Sequence, residues 1–156
     1  MFGAASTPRV TDPATPLLGE RRKTLPSIDE PGFDDALRAV CASERITHIF
    51  ATVDAVVAHV AALDLGSTRF VGPAPGVAAL VLSKSAVYAR VADAVPVPRA
   101  ATAAPAFAKP DRGSGSRGAR RLASDNAVRA AEAAGDLVQE WLPGPEYTVD
   151  CASVSY

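Results

Sequence analysis

The segment Phe107-Ala-Lys-Pro-Asp-Arg-Gly-Ser-Gly-Ser-Arg-Gly118 decides how the second half of this chain folds. Small residues lead to Lys109, Pro110 turns the chain, and a loop with glycines at 113, 115 and 118 follows. Glycine lets backbone N–H groups approach a ligand where a Cβ would clash, and consecutive free N–H groups form a concave anion site. A lysine just before such a loop adds a point charge suited to a phosphate. The pattern therefore predicts a clamp for the phosphates of a nucleotide.

Two known glycine loops are formal alternatives for the same letters. Gly113-x-Gly115-x-x-Gly118 fits the dinucleotide fingerprint, which needs a strand before it and a helix directly after it. Residues 119–123, Ala-Arg-Arg-Leu-Ala, are instead typical of a strand, so an NAD-binding oxidoreductase is disfavoured. Gly113 and Gly118 also have the spacing of a Walker loop, but Ala119 stands where that loop has its lysine. A flexible surface loop is the remaining interpretation of the isolated segment.

Composition narrows the class of protein. The chain has 156 residues, of which 48% are hydrophobic and 21% charged, as in a globular protein. A net charge of −1 gives no electrostatic case for binding nucleic acid or an anionic membrane. No apolar run approaches the ~18 residues of a spanning helix, and no signal peptide is recognisable at the start. Cys41 and Cys151 lack metal-type spacing and favour buried, reduced thiols, which predicts a cytoplasmic location.

The first half alternates between helix and strand. Residues 1–30 contain several prolines and little periodicity, whereas residues 33–45 have apolar positions at helical spacing. Residues 46–52 form a β-prone run typical of a buried parallel strand. Asp54 can cap a following helix, and a brief strand is expected at Arg69-Phe-Val-Gly72. The alternation predicts a doubly wound α/β unit.

The second half has a different order of predicted helices and strands. Pro73 and Pro75 interrupt the alternation, and Ser83 precedes a helix from Lys84 to about Ala94. Strands are then predicted over 105–109, 119–123, 136–141 and 146–154, with a helix over 125–134 capped by Ser124 or Asp125. The pattern predicts an α+β lobe with antiparallel strands.

The order of these segments resembles the ATP-grasp superfamily, closest to the branch of the carbamoyl-phosphate synthase large subunit and related carboxylate–amine ligases. In the second half the resemblance is carried by Ser83-Lys84, Val95-Pro-Val-Pro98, Phe107-Ala-Lys-Pro110 and Gln139-Glu-Trp-Leu-Pro-Gly-Pro-Glu-Tyr-Thr-Val-Asp150. In the first half it is carried by Pro31-Gly-Phe-Asp-Asp-Ala-Leu37 and Ile46-Thr-His-Ile-Phe-Ala-Thr-Val-Asp54. It covers roughly residues 20–156.

The resemblance implies an α/β fold that is truncated at both ends. Residues 1–82 would form a partial Rossmann-like domain of the kind that precedes ATP-grasp. Residues 83–156 would form the N-terminal part of the ATP-grasp domain, with a lid lobe over 99–138, a hinge over 139–145 and the start of a second lobe over 146–156. We therefore expect a fragment of a longer ligase.

The resemblance also implies a set of ATP-binding residues. Lys109 and Lys84 would contact the phosphates, Glu140 would meet the adenine edge, and Glu146 would hold the ribose hydroxyls. The remaining members are the loop residues over the β- and γ-phosphates and the rest of the hinge: Gly113, Ser114, Gly115, Ser116, Gly118, Trp141 and Leu142. Taken alone, Lys84 and Glu140 are also compatible with solvated surface charges, and Trp141 with core packing.

The function implied by the resemblance is ATP-dependent ligation of a small carboxylate to an amine through an acylphosphate. Mg²⁺ would be held by ligands beyond the C-terminus, so the fragment alone would be inactive, and the parent protein is a possible homo-oligomer. The alternative is a non-catalytic nucleotide-binding or structural α/β module. His48 and His59 are expected to be structural.

Overall fold

The computed structural model describes residues 1–113, 115–147 and 149. The chain divides into two compact units, unit 1 over Met1–Ser83 and unit 2 over Lys84–Tyr156, and each has its own buried core. No helix in the described part of the chain is long and apolar enough to cross a membrane.

Unit 1 combines short helices with short strands. Its strands are β1 (Gly3–Ala5), β2 (Arg22–Thr24), β3 (His48–Ile49) and β4 (Arg69–Phe70). Its helices are α1 (Thr15–Leu18), a 3-10 turn (Gly19–Arg21), α2 (Phe33–Ser43), α3 (Asp54–Ala62) and α4 (Pro75–Val81).

The core of unit 1 lies between α2 and α3, where Phe33, Leu37, Cys41 and Val60 are buried. The helices expected over 33–45 and after Asp54 are therefore confirmed.

The strands of unit 1 are shorter than expected. β1 pairs with β2, and β3 with β4, both in parallel but as separate two-stranded sheets. The strand expected over 46–52 is confirmed only at His48–Ile49. Its predicted burial is wrong: His48 is exposed and Phe50 is 71% exposed, because a two-residue ladder covers little of the run. The doubly wound arrangement stays a prediction.

Three features of unit 1 have no counterpart in the sequence prediction. β1 and β2 form within the proline-rich residues 1–30, and the side chain of Arg22 is fully buried there against Asp12. Pro75 was expected to interrupt regular structure, but it is the first residue of α4. Proline is tolerated there because backbone N–H groups in the first turn of a helix have no hydrogen-bond partner within the helix, so the missing N–H costs nothing.

Unit 2 is a small antiparallel sheet with helices. It contains α5 (Lys84–Val91), β5 (Ala106–Lys109), β6 (Arg120–Leu122), α6 (Asp125–Ala133) and β7 (Leu137–Glu140). The strand order is β6-β5-β7, and both pairings are antiparallel, as predicted. Ser124 Oγ accepts the Ala127 N–H at 3.3 Å and caps α6. Within the strand predicted over 146–154, residues 146, 147 and 149 have irregular backbone, and the others, Cys151 included, lie outside the described residues.

The two faces of β5 differ in side-chain size. Ala106 and Ala108 are fully buried and pack with Val128 and Ala131 of α6, and alanine lets the helix approach the sheet. Side chains alternate across a strand, so Phe107 and Lys109 lie on the opposite face. Both residues line a cavity on that face.

Candidate anion-binding site

A cavity of about 300 Å³ lies in unit 2 beside the C-terminal end of β5. The start of α5, the end of β5 and the loop between β5 and β6 surround it. Its described lining residues are Lys84, Phe107, Lys109, Pro110, Arg112, Gly113, Gly115, Ser116, Arg117, Ala119 and Glu146.

The cavity is strongly cationic. Four of its described lining side chains, Lys84, Lys109, Arg112 and Arg117, carry positive charge, and Glu146 is the one carboxylate among them. Arg112 and Arg117 are exposed, so each can turn its guanidinium toward a ligand. A planar guanidinium binds phosphate oxygens in pairs, whereas a lysine acts as a point charge. The arrangement favours an anion with several oxygen atoms.

Lys84 anchors the glycine loop to α5. Its Nζ donates to the carbonyl oxygens of Asp111 and Gly113, each at 3.1 Å. Its backbone N–H donates to Asp111 O at 3.1 Å, and the Ser85 N–H donates to Asp111 Oδ1 at 2.7 Å. These hydrogen bonds fix the start of the loop, and the Lys84 side chain contributes by binding two backbone carbonyls of the loop.

Lys109 is held by Tyr88 of the same helix, α5. Its Nζ donates to the phenolic oxygen of Tyr88 at 2.6 Å and lies 5.1 Å from the centre of the Tyr88 ring. Tyr88 in turn donates to Gln139 Oε1 at 3.4 Å. Tyr88 was not among the predicted site residues, because 21 residues separate it from Lys109 in the sequence.

The glycine loop joins two antiparallel strands, β5 and β6. The dinucleotide fingerprint requires a helix directly after its glycines, so the structure excludes that context here. Gly113, Gly115 and Gly118 all have positive φ, which favours glycine. At Gly118 a Cβ would lie 2.9 Å from Pro110 Cγ, so this position also needs the missing side chain. Ser114 lies outside the described residues.

Glu140 is engaged away from the cavity. Its Oε2 accepts from Arg99 Nη2 at 3.0 Å, and its Oε1 accepts the Arg99 backbone N–H at 2.9 Å. In the β5–β7 register Glu140 pairs with Ala106, whose side chain is buried on the α6 face. Paired residues share a face, so Glu140 lies on the face opposite Lys109.

The charge environment of Glu140 follows from this pairing. The side-chain hydrogen bonds from Arg99, followed by the backbone N–H of Arg99, lower the pKa of the Glu140 carboxyl below its ordinary value. The same contacts raise the pKa of Arg99. Glu140 is therefore an ionised partner of Arg99.

Of the other predicted hinge residues, Trp141 contacts a cavity-lining residue without lining the cavity itself. The Trp141 ring packs 6.0 Å from the ring of Phe107, which lines the cavity, and the Arg121 guanidinium lies 5.1 Å from the Trp141 ring centre. Leu142 is 58% exposed. The hinge residues expected to contact ATP, Glu140, Trp141 and Leu142, do not line the cavity, whereas Glu146, after the hinge, does.

A second cavity, of about 380 Å³, lies in unit 1 beside the start of α2. There His59 Nε2 lies 2.5 Å from Asp34 Oδ1, and the Phe33 and His59 rings meet edge to face at 5.6 Å. The contacts of His59 thus join α2 to α3, in line with a structural role. Asp54 does not cap α3 through its side chain, because Val53 occupies the cap position and Asp54 is the first helical residue.

The described residues do not supply a magnesium site by themselves. Within residues 1–113, 115–147 and 149, no group of three or more His, Cys, Asp or Glu side chains is arranged to hold a metal ion. Glu146 alone offers a carboxylate among the described cavity-lining residues.

No protein-family model matches this sequence, and no curated protein is similar enough to it to count as a match.

Proposed function

We propose that unit 2 binds the phosphate chain of ATP in the cavity beside β5. The observation that carries this proposal is the convergence of Lys84, Lys109, Arg112 and Arg117 on one cavity closed by a glycine loop. Phosphate oxygens accept charge-assisted hydrogen bonds from ammonium and guanidinium groups, and glycine exposes backbone N–H groups to the same oxygens.

The two lysines have different parts in this proposal. Lys109 offers its ammonium directly, because its single described hydrogen bond, to Tyr88, leaves two N–H donors for a phosphate. Lys84 has one N–H donor beyond its two loop carbonyls, so it both shapes the loop and contacts a terminal phosphate. Arg112 and Arg117 close over the β- and γ-phosphates from the loop.

The nucleoside end would extend from Phe107 toward Glu146. Phe107 gives an apolar wall for a flat base, and Glu146 gives a carboxylate that accepts from ribose hydroxyls. The edge of the adenine ring would reach the backbone of the hinge near Leu142.

We further propose that the chain is the ATP-binding portion of an ATP-grasp ligase with a partial Rossmann-like domain before it. In the reaction of the whole enzyme, a small carboxylate attacks the γ-phosphorus and ADP leaves. An amine then attacks the acyl carbon of the acylphosphate, and inorganic phosphate leaves with the bonding electron pair. Mg²⁺ bound with ATP would neutralise phosphate charge in that enzyme. The residues of this chain contribute orientation and charge neutralisation.

Calorimetric titration with ATP tests the binding proposal. Lys109→Ala removes a charge-assisted hydrogen bond worth about 1.5–3 kcal/mol, so the dissociation constant should rise roughly 10- to 100-fold. Arg129→Ala is the matched control, because Arg129 is an exposed cation on α6 and bonds Asn126 outside the cavity. ATP binding that is as tight in Lys109→Ala as in the wild type would overturn the site assignment.

A further inference from the structure

We propose that Tyr88 is a positioning residue that fixes the Lys109 ammonium for one phosphate group. The proposal rests on the phosphate-binding function proposed above and adds a residue to that site. Tyr88 does not line the cavity, so it acts through Lys109.

The position of Tyr88 on α5 allows it to hold the Lys109 ammonium. Lys84 and Tyr88 are four residues apart and therefore share one face of the helix. From that face Lys84 reaches the loop carbonyls of Asp111 and Gly113, and Tyr88 reaches the ammonium of Lys109. One helix face thus holds both the loop and the strand lysine.

The Tyr88 hydroxyl is itself oriented. It donates to Gln139 Oε1, and Gln139 is buried in β7 with 8% of its surface exposed. Because the hydroxyl proton points to Gln139, its lone pairs are left for the Lys109 N–H at 2.6 Å. Gln139 pairs with Phe107 in the sheet register, which ties this chain of hydrogen bonds to β5.

Fixing a lysine matters because its side chain is long and flexible. An untethered ammonium loses rotamer freedom when it binds a phosphate, and this loss weakens binding. A phenol that already holds the ammonium reduces that loss before the ligand arrives. Tyr88 therefore raises affinity for phosphate without contacting it.

The test is a double-mutant cycle with inorganic tripolyphosphate as the probe. Tyr88→Phe removes the hydroxyl and keeps the ring, and Lys109→Met removes the ammonium and keeps most of the aliphatic length. We expect Tyr88→Phe to weaken tripolyphosphate binding about 5- to 10-fold when Lys109 is present, and to have no further effect in Lys109→Met. Equal losses in both backgrounds would overturn the proposal, because Tyr88 would then act independently of Lys109.

A measurement without ligand separates this proposal from the proposed function. The sequence has three lysines, Lys23, Lys84 and Lys109, so NMR spectra of isotope-labelled lysine ammonium groups are simple to assign. Tyr88→Phe should speed solvent exchange at Lys109 alone, while Lys84, which bonds loop carbonyls, and Lys23, which pairs with Glu44, keep their rates. An unchanged Lys109 rate would overturn the positioning role.

Together, the binding and exchange measurements distinguish failure of the proposed phosphate binding from failure of the proposed role of Tyr88. If the wild type binds neither tripolyphosphate nor ATP but Lys109 exchange responds to Tyr88→Phe, the phosphate-binding function fails and the tether stands. If the wild type binds both and neither the cycle nor the exchange rate responds, the function stands and the role of Tyr88 fails. Circular dichroism of each variant checks that unit 2 remains folded.

Discussion

Arg99 holds the carboxylate of Glu140 by two routes, with its guanidinium on Oε2 at 3.0 Å and its backbone N–H on Oε1 at 2.9 Å. The Glu140 N–H also donates to Arg99 O at 2.8 Å, so the segment before β5 is bound to the end of β7. The β5–β7 register places Glu140 on the face of the sheet opposite Lys109.

Arg99→Gln should raise the pKa of Glu140 toward its ordinary value of 4.5, because the guanidinium is the main cause that lowers it. The Arg99–Glu140 pair stabilises the folded state fully above pH 4.5. This stabilisation is lost as the pH falls through the lowered pKa that Glu140 has in the folded protein. NMR titration of the Glu140 side chain measures the shift. Arg129→Gln is the control and should leave the Glu140 titration unchanged. An identical titration in Arg99→Gln would contradict the geometry.

Lys84→Ala should loosen the glycine loop, because it removes the two side-chain bonds from Lys84 Nζ to the carbonyl oxygens of residues 111 and 113. Trypsin cleavage after Arg112 and Arg117 should accelerate several-fold, and mass spectrometry of the fragments reports each site separately. Arg90→Ala, an exposed cation in the last turn of the same helix, serves as the control. Cleavage at the wild-type rate in Lys84→Ala would show that the loop does not depend on this anchor.

Local signals in the sequence predicted α6 and the three strands β5, β6 and β7 of unit 2. Ser124 marks the start of α6, and the bounds predicted for α6 and for β5, β6 and β7 agree with the structure to within two residues. The glycine loop and Lys109 could also be predicted as one anion site, because these residues are close together in the sequence. Whether they bind ATP stays a prediction.

The contacts that sequence reasoning missed join residues far apart in the chain. The register of β7 against β5 places Glu140 on the α6 face, and neither strand alone specifies that register. Likewise, nothing in the α5 sequence indicates that Tyr88 meets Lys109. Arg22 lies in a stretch without periodicity, yet its side chain is 1% exposed because Asp12 and the carbonyls of Thr7 and Lys23 surround it.

Gly118→Ala should destabilise unit 2 more than Gly115→Ala, although both glycines are in the left-handed region with φ of 78° and 65°. Each substitution costs about 1–2 kcal/mol for the backbone conformation. At Gly118 the new Cβ would also meet Pro110 Cγ at 2.9 Å, which adds about 1 kcal/mol, whereas nothing lies within 4 Å at Gly115. Trp141 is the single tryptophan, so its fluorescence during urea denaturation reports unit 2. Equal midpoints for the two variants would contradict the close approach of Gly118 to Pro110.

Asp12→Asn should open the short sheet of β1 and β2 at neutral pH. The Ala14 N–H and then the Arg22 guanidinium lower the pKa of Asp12 below its ordinary value of 3.8. The Asp12 carboxylate therefore stabilises the folded state above pH 3.8, and this contribution is lost as the pH falls through the lowered folded value. Asn keeps an oxygen for the Ala14 N–H but leaves the buried Arg22 side chain without its counter-charge.

Hydrogen exchange of the β2 amides measures this effect at the segment concerned. Near neutral pH, wild-type amides over Arg22–Thr24 should be protected several-fold more than those of Asp12→Asn. The difference should vanish at a pH below the lowered pKa of Asp12, because the wild-type side chain is then protonated and carries no charge, as in the variant. Glu20→Gln is the matched control, because Glu20 pairs with Arg9 at 3.4 Å with its side chain 97% exposed, where an ion pair contributes little. A wild-type exchange rate in Asp12→Asn at neutral pH would mean that Arg22 is held by its carbonyl and hydroxyl partners alone.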